Sequence, residues 1–228
     1  MNILAVETSV SACSVAMLQN KNLDFLYEVA PQKQADLILP MLEKLLTQTG
    51  SKISAMNAIA FGQGPGSFTG LRIAAAVSQG LALAYGLPLI GVSSLAALAL
   101  AGKNFHPDTD YFLVSMDARM QQVYFALYEV SLNAELTAII PDTLATPIEA
   151  ASLIQEKISN LFWKAVGDGC ALLEEFLPNV KNHCLDLPYP SAREVAVLAS
   201  YKYDKKDFMA LDEALPNYLR AEVIDSKK

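Results

Sequence analysis

The chain has 228 residues, of which 53% are hydrophobic and 18% are charged, and its formal net charge is −7. This composition predicts a globular protein with one large domain or two small ones, and it excludes a disordered chain. A protein that grips nucleic acid by its phosphates needs clustered lysine and arginine residues. The sequence has no basic stripe, so we do not expect this chain alone to bind nucleic acid tightly.

The cysteines and the amino terminus bear on the cellular compartment. Cys13, Cys170 and Cys184 are odd in number and lack a Cys-x-x-Cys spacing, which favours free thiols over disulfides. The first residues lack the basic segment of a secretory signal peptide. Residues 73–102 carry no charge and are long enough to span a membrane, but Gly86, Pro88 and two serines at 93–94 interrupt them. We therefore expect a cytoplasmic protein without a membrane segment.

The hydrophobic pattern predicts two halves with the same order of elements. In the first half we expect strands at residues 3–6, 12–18 and 23–29, a helix at 33–47, a strand at 58–61, a helix at 68–85, a strand at 89–92 and a second apolar helix. In the second half we expect strands at 111–116, 123–130 and 135–140, a helix at 148–158, a strand at 162–166, a helix at 171–176, a strand at 185–187 and a helix at 192–203. A polar seam near residues 102–110 divides the chain into an N-terminal domain (1–102) and a C-terminal domain with a final helix and tail (103–228).

The segment GQGPGSFTGLR at residues 62–72 joins an apolar strand to an alanine-rich helix. Glycines permit close approaches, and amides at a helix N-terminus suit a phosphate or carboxylate, so this loop predicts an anion site. The alternative is that the glycines only let the loop cross close to a neighbouring backbone. The loop is not a Walker A motif, because Leu71 and Arg72 follow its last glycine. It is not a nucleophile elbow either, because Ser67 lacks glycines two residues away on each side.

Five segments together resemble one family. They are ILAVETS at 3–9, GPGSFTGLR at 64–72, GVSSL at 91–95, DAR at 117–119 before VY at 123–124, and PNYLR at 216–220. Together they are similar to the bacterial TsaB (YeaZ) family, and the resemblance spans the whole chain. It implies an α/β fold of the duplicated actin-like and Hsp70-like (ribonuclease H-like) type, with two β-β-β-α-β-α halves.

The resemblance also implies a function and partners. We expect a non-catalytic scaffold or activating subunit of the complex that forms threonylcarbamoyladenosine at position 37 of tRNA. Its partners would be a TsaD-like catalytic paralogue and a TsaE-like ATPase, with a homodimer when the chain is alone and tRNA contacted only through the complex.

The resemblance places a vestigial nucleotide site at the end of the first strand and in the glycine loop, at Glu7, Thr8, Ser9, Gly64 and Gly66. In nucleotide-binding members of the superfamily a carboxylate there holds a hydrated metal ion, and the next hairpin binds phosphates. The hairpin here, Val-Ser-Ala at 10–12, has no glycine. We therefore expect no cofactor, with a weakly bound nucleotide as the open alternative. An actin-like phosphotransferase or ATPase is accordingly the first alternative function.

A metallohydrolase of the glycoprotease type is the second alternative function. The catalytic paralogue of the family carries a His-x-x-x-His pair, in which two imidazoles share one helix face. This chain has only His106 and His183, and neither has a second His or Cys three or four residues away. The sequence therefore predicts no metal site and no catalytic residue. It also favours a local ion pair between Asp117 and Arg119, and a simple turn at residues 167–169.

The helix at 68–85 is apolar nearly all round, so it must be buried on two sides. One side would pack on the sheet, and the other would pack on the helix at 33–47 or on another molecule. In the family this helix pair forms a four-helix bundle with the paralogue or with a second copy. We expect an aspartate at Leu45 to abolish association without unfolding the chain. The interface residues predicted on this basis are Leu37, Ile38, Met41, Leu42, Leu45, Leu71, Ala74, Ala75, Ser78, Leu81 and Ala82.

Overall fold

The computed structural model describes residues 1–131 and 133–220, and these contain two sheets and seven α-helices. The first half contains β1 (Asn2–Glu7), β2 (Ala12–Gln19), β3 (Asn22–Val29), α1 (Gln34–Thr49), β4 (Ala58–Gly64), α2 (Phe68–Tyr85), β5 (Leu89–Ser93) and α3 (Ser94–Phe105). The second half contains β6 (Tyr111–Arg119), β7 (Gln122–Val130), β8 (Leu136–Ala145), α4 (Pro147–Ile158), β9 (Trp163–Val166), α5 (Cys170–Leu173), α6 (Val180–His183) and α7 (Ala192–Asp204).

The two sheets share one topology. In the first sheet the strand order is β3-β2-β1-β4-β5, and in the second it is β8-β7-β6-β9. In each sheet the first three strands along the chain form an antiparallel meander, and the next strand pairs in parallel with the first. The prediction of a duplicated actin-like fold is therefore confirmed.

The apolar runs of the sequence form strands because both faces of each sheet are covered. Ile3 and Ala5 belong to the core on one face of β1, whereas Leu4 and Val6 belong to the core on the other face. A strand buried on both faces reads as a continuous apolar run and not as an alternating one. Five layers result: α1 and α2, the first sheet, α3 and α7, the second sheet, and α4 to α6.

The middle layer is shared between the halves. The helix α7 belongs to the second half by sequence, but it packs across β1, β2, β4 and β5 of the first sheet. The helix α3 belongs to the first half and packs mainly across β6, β7 and β9. The predicted boundary between residues 102 and 103 falls inside α3, which ends at Phe105, and it does not divide the packing around the middle layer. Residues 221–228 of the predicted C-terminal domain lie outside the described residues.

Three element predictions in the second half differ from the structure. The strand predicted at 185–187 does not form, because the Leu187 amide turns back to the Leu185 carbonyl (2.8 Å) and leaves only a single bridge between Ala165 and Cys184. The helix predicted at 171–176 ends already at Leu173. The strand β8 extends five residues beyond the predicted end at 140, to Ala145.

The helix α2 has the predicted bounds, and local signals explain both ends. The Ser67 hydroxyl accepts a hydrogen bond from the Gly70 amide (3.1 Å), as an N-cap residue does. Gly86 ends the helix in the left-handed conformation (φ 64°), which glycine adopts without steric cost. Within the described residues, no helix has both the length and the hydropathy to cross a membrane.

Candidate functional site

A cleft of about 880 Å³ lies between the two halves. The β1–β2 turn and the glycine loop line it from the first half, and the β6–β7 turn lines it from the second half. The chain returns to the same cleft at residues 218 and 220. The polar and aromatic residues around the cleft include Ser9, Phe68, Asp117, Arg119, Tyr124, Asp168, Tyr189, Tyr218 and Arg220.

The Glu7 carboxylate is directed into the protein and not into this cleft. Its Oε1 accepts a hydrogen bond from the Ser9 amide (2.6 Å), and its Oε2 accepts one from the Ser94 hydroxyl (2.9 Å). A Cβ atom at position 62 would collide with Oε2, so Gly62 makes room for the Glu7 side chain. Burial raises the pKa of Glu7, which these hydrogen bonds offset only in part. The structure therefore removes Glu7 from the predicted nucleotide site.

Thr8 and Ser9 also make internal contacts. The Thr8 hydroxyl donates to the Gly70 carbonyl (2.7 Å) and is buried, so Thr8 leaves the predicted site as well. Ser9 lines the cleft, but its carbonyl accepts a hydrogen bond from the Ser67 amide (2.6 Å). Of the three residues predicted at the end of the first strand, only Ser9 reaches the cleft.

The glycine loop lies directly against the β1–β2 turn. A Cβ atom at Gly66 would stand 2.5 Å from the Ser9 carbonyl oxygen, and one at Gly70 would collide with the Thr8 carbonyl. Gly64 has a φ of 111°, which side chains with a Cβ rarely adopt. The interpretation that the glycines let the loop cross close to a neighbouring backbone is therefore confirmed. The Ser67 amide, which an anion site at the helix start would use, already binds Ser9.

The β6–β7 turn forms the opposite wall of the cleft. Asp117 binds Arg119 twice, through an ion pair (3.0 Å) and by accepting a hydrogen bond from its amide (2.7 Å), so the predicted local pair is confirmed. The Asp168 carboxylate accepts a hydrogen bond from the Asp117 amide (3.0 Å), and burial raises the pKa of Asp168. Residues 167–169 form the expected turn, with Gly167 at a φ of 104°.

Neither histidine lines this cleft, and both make local contacts. His106 follows α3, and its Nδ1 lies 3.1 Å from the Thr109 hydroxyl. His183 stacks on Trp163 with ring centroids 4.0 Å apart, and its Nδ1 lies 2.9 Å from the Trp163 carbonyl. Within residues 1–131 and 133–220, no three His, Cys, Asp or Glu side chains are grouped so that they could hold a metal ion.

The predicted interface residues on α1 and α2 mostly face the first sheet. Only Leu37 and Leu81 are partly exposed. The apolar stripe that predicted the interface is the stripe by which each helix packs on its own sheet, so these side chains are largely covered within the chain, although Leu42 also lines a groove between the helices. The prediction is thus corrected for the nine that are buried: Ile38, Met41, Leu42, Leu45, Leu71, Ala74, Ala75, Ser78 and Ala82.

The outer faces of α1 and α2 carry other apolar residues, which the sequence analysis missed. Leu83 is 71% exposed and Leu39 is 58% exposed, although both are large aliphatic side chains. Ala76 and Gly80 complete an uncharged face of α2. A groove of about 430 Å³ between the helices includes Leu39, Leu46 and Leu81 in its lining. Large apolar residues opposite the buried stripe were the sequence signal for this face.

Comparisons with known proteins identify the relatives of this chain. A family model described as "TsaD: tRNA N6-adenosine threonylcarbamoyltransferase" matches residues 25–223. The tRNA threonylcarbamoyladenosine biosynthesis protein TsaB of Haemophilus influenzae is 34% identical and aligns with 98% of this chain and 95% of its own length. The Escherichia coli TsaB protein is 33% identical, with 98% and 96% covered. The structure of YeaZ from Pseudomonas aeruginosa superimposes with a TM-score of 0.83 at 34% identity and covers 96% of this chain and 99% of its own.

Proposed function

The chain belongs to the TsaB family of tRNA threonylcarbamoyladenosine biosynthesis proteins, and on this basis we propose that it is a non-catalytic subunit that binds and activates a TsaD-like catalytic paralogue. The observation that carries the proposal is the uncharged outer face of α2, where Leu83 stays 71% exposed beside a well-packed core. Large apolar side chains grouped on a helix face are typical of an interaction site.

The geometry of the cleft supports a subunit without its own chemistry. A nucleotide-hydrolysing site of this fold needs a carboxylate that reaches the metal ion and a turn whose amides face the phosphates. Here the Glu7 carboxylate is bound inside by Ser9 and Ser94. The glycine loop packs on the turn where the phosphates would lie, and the Ser67 amide binds the Ser9 carbonyl. These contacts weigh against the phosphotransferase alternative and against a resident nucleotide.

The second alternative, a metallohydrolase, would need a set of metal ligands. His106 and His183 each lie against a residue of their own neighbourhood, Thr109 and Trp163 respectively. A metal ion in a catalytic site is held by about three protein ligands that converge on one point. Two histidines in separate local contacts do not supply such a set.

The outer face of α2 suits another helix pair. From residue 73 to 85 the helix carries no charged side chain, and Ala76 and Gly80 are small. Small side chains at a contact allow helix axes to approach closely. The helix α1 lies beside α2 and adds Leu39 to the same outer surface. Two helices from this chain and two from a partner would form a four-helix bundle, with the paralogue in the complex or with a second copy when the chain is alone.

The remaining partners follow from charge and from the family. With a net charge of −7, the chain repels the phosphates of tRNA, so tRNA contacts are assigned to the complex as a whole. A TsaE-like ATPase would complete the assembly, which we place in the cytoplasm.

Reconstitution tests the proposal. The paralogue, the ATPase subunit, tRNA, ATP and the threonylcarbamoyl donor are incubated with and without this chain, and threonylcarbamoyladenosine is measured by mass spectrometry of the digested tRNA. We expect product only when this chain and the paralogue are both present. Product from the paralogue without this chain, at the same rate, would contradict the activating role. Product from this chain without the paralogue would contradict the non-catalytic role.

A further inference from the structure

The segment 208–220, which we name the strap, connects the first sheet to the far side of the cleft. It begins at β5, where the Met209 amide donates to the Leu89 carbonyl (2.9 Å). It then passes α2, where the Gln79 side chain donates to the carbonyls of Leu211 (2.8 Å) and Ala214 (3.2 Å). Ala214 is fully buried against the core beneath α2. The first part of the strap is therefore fixed to the first half.

The middle of the strap is fixed to the end of β4 and to the start of α2. The Asn217 amide donates to the Gln63 carbonyl (2.8 Å), and the Gln63 side chain donates to the Leu215 carbonyl (3.0 Å). The Tyr218 hydroxyl accepts a hydrogen bond from Arg72 Nε (3.1 Å), and its ring lies 5.5 Å from that of Phe68. This brings the strap to the edge of the cleft, which Tyr218 lines.

The last residue of the strap binds the second half. Nη2 of Arg220 donates to the Ala118 carbonyl (3.1 Å) and to Gln122 Oε1 (2.6 Å), and Nη1 lies 3.2 Å from the Met120 sulfur. These acceptors surround the β6–β7 turn. The guanidinium presents several donors in one plane, so a single side chain can hold acceptors on both sides of a turn.

The turn that Arg220 holds has an unusual backbone. Arg119, Met120 and Gln121 follow one another with φ values of 63°, 54° and 57°. Non-glycine residues with positive φ are uncommon, and each costs free energy that surrounding contacts must offset. Asp117 and Arg220 supply such contacts from the two sides. The conformation of this turn therefore depends on a side chain that the strap carries across the cleft.

We propose that the strap holds the two halves together across the cleft and couples the outer surface of α2 to the β6–β7 turn. Gln79 binds the strap on the flank of α2, next to the outer face that carries Leu83. A molecule docked on that face restricts α2 and Gln79, and the strap transmits this restriction to Arg220 and the turn. The coupling to a docked molecule rests on the proposed function. The link that the strap makes between the two halves, which we call the tie, does not.

Limited trypsin digestion of the isolated chain tests the tie. The Arg119 side chain is 81% exposed, so trypsin can reach it, and cleavage is limited by how often the backbone of the turn opens. The cleavage rate therefore reports the population of chains with an open turn. We expect Arg220→Ala to accelerate this cleavage about tenfold, the effect of losing one hydrogen bond to a charged group. Arg193→Ala is the matched control, because it removes an arginine that does not line the cleft; its guanidinium lies over the Phe25 ring and 3.6 Å from the buried Glu194 carboxylate.

Gln79→Ala distinguishes an effect that the strap carries from a local effect of removing the Arg220 side chain at the turn. Gln79 does not bind the turn, so faster cleavage after Arg119 in this variant would have to act through the strap. Thermal melting shows whether each variant folds. If Arg220→Ala does not fold, Gln79→Ala still tests the proposal. Unchanged cleavage in Gln79→Ala overturns the proposal, as does equal cleavage in Arg220→Ala and Arg193→Ala.

The second part of the experiment adds the purified TsaD-like paralogue. We expect it to slow cleavage after Arg119 in the wild-type chain but not in Gln79→Ala, although size-exclusion chromatography shows that both bind. Equal slowing in both would mean that the paralogue shields the turn directly, and would overturn the coupling. If the paralogue binds neither chain, the proposed function fails, while the digestion of the isolated chain still decides the tie.

Discussion

Replacing Leu83 by aspartate is the sharpest test of the proposed partner surface. Leu83 lies on the outer face of α2 and is 71% exposed, so a charge there can stay hydrated in the isolated chain. We expect Leu83→Asp to leave the fold intact and to abolish association with the paralogue and with a second copy.

The magnitude follows from the exposed area. Full burial of a leucine side chain contributes about 1.5–3 kcal/mol, so roughly 1–2 kcal/mol of that remains available to a partner at this position. Leu83→Ala should therefore weaken association about 5- to 30-fold. Leu83→Asp also buries an unpaired carboxylate, which costs several kcal/mol, so its effect should exceed about 100-fold.

Two further substitutions control this test. Leu153→Asp places the same charge on α4, where Leu153 is 48% exposed on the opposite outer layer, and should leave association unchanged. Leu45 is only 1% exposed and packs against the first sheet, so Leu45→Asp should unfold the chain in place of the folded monomer that the sequence predicted.

The assays are circular dichroism, light scattering and the reconstituted modification reaction. The reasoning is refuted if Leu83→Asp folds, binds the paralogue with wild-type affinity and supports wild-type modification. A parallel loss of association in Leu153→Asp would refute it too, because the effect would then come from charge and not from position.

The remaining predictions concern the glycines and the buried carboxylate. Gly66→Ala should destabilise the chain by about 1–3 kcal/mol, because its Cβ would stand 2.5 Å from the Ser9 carbonyl oxygen. In contrast, Gly80→Ala meets no atom within 4 Å and should stabilise the isolated chain by about 0.5–1 kcal/mol while weakening partner binding; denaturant unfolding and light scattering measure both effects. Glu7→Gln should raise the melting temperature at pH 8 but not near pH 4.5. The pKa of Glu7 is raised in the folded state, so the wild-type chain loses stability as the pH rises through the interval above 4.5. Equal pH dependence of melting in wild type and Glu7→Gln would contradict this account.

Much of the fold could be read along the chain, because its signals are local. The helix α2 has the predicted bounds since its start at Ser67 and its stop at Gly86 are set by neighbouring backbone groups. The motifs at residues 64–72 and 216–220 carried the resemblance to the TsaB family, which the comparisons confirm. Predictions were weakest at residues 171–187, where short segments turn back on themselves.

The candidate site depended on contacts between residues far apart in the sequence. The residue Glu7 was expected in a nucleotide site, but Ser94 and the space above Gly62 allow its carboxylate to lie inside the protein. The side chain of Gln63 binds the strap at Leu215, 152 residues later, and Arg220 reaches the β6–β7 turn. Sequence alone could not place these contacts, because none of them follows from local periodicity.

The sequence by itself determined the order of the elements in the first half, the glycine loop and the family. Only the tertiary structure decided which face of α1 and α2 is free. An apolar stripe specifies that a helix face must be buried, but not whether the chain's own sheet or a second molecule covers it. In this protein the first sheet covers the stripe around Leu45, and the face with Leu39 and Leu83 stays exposed.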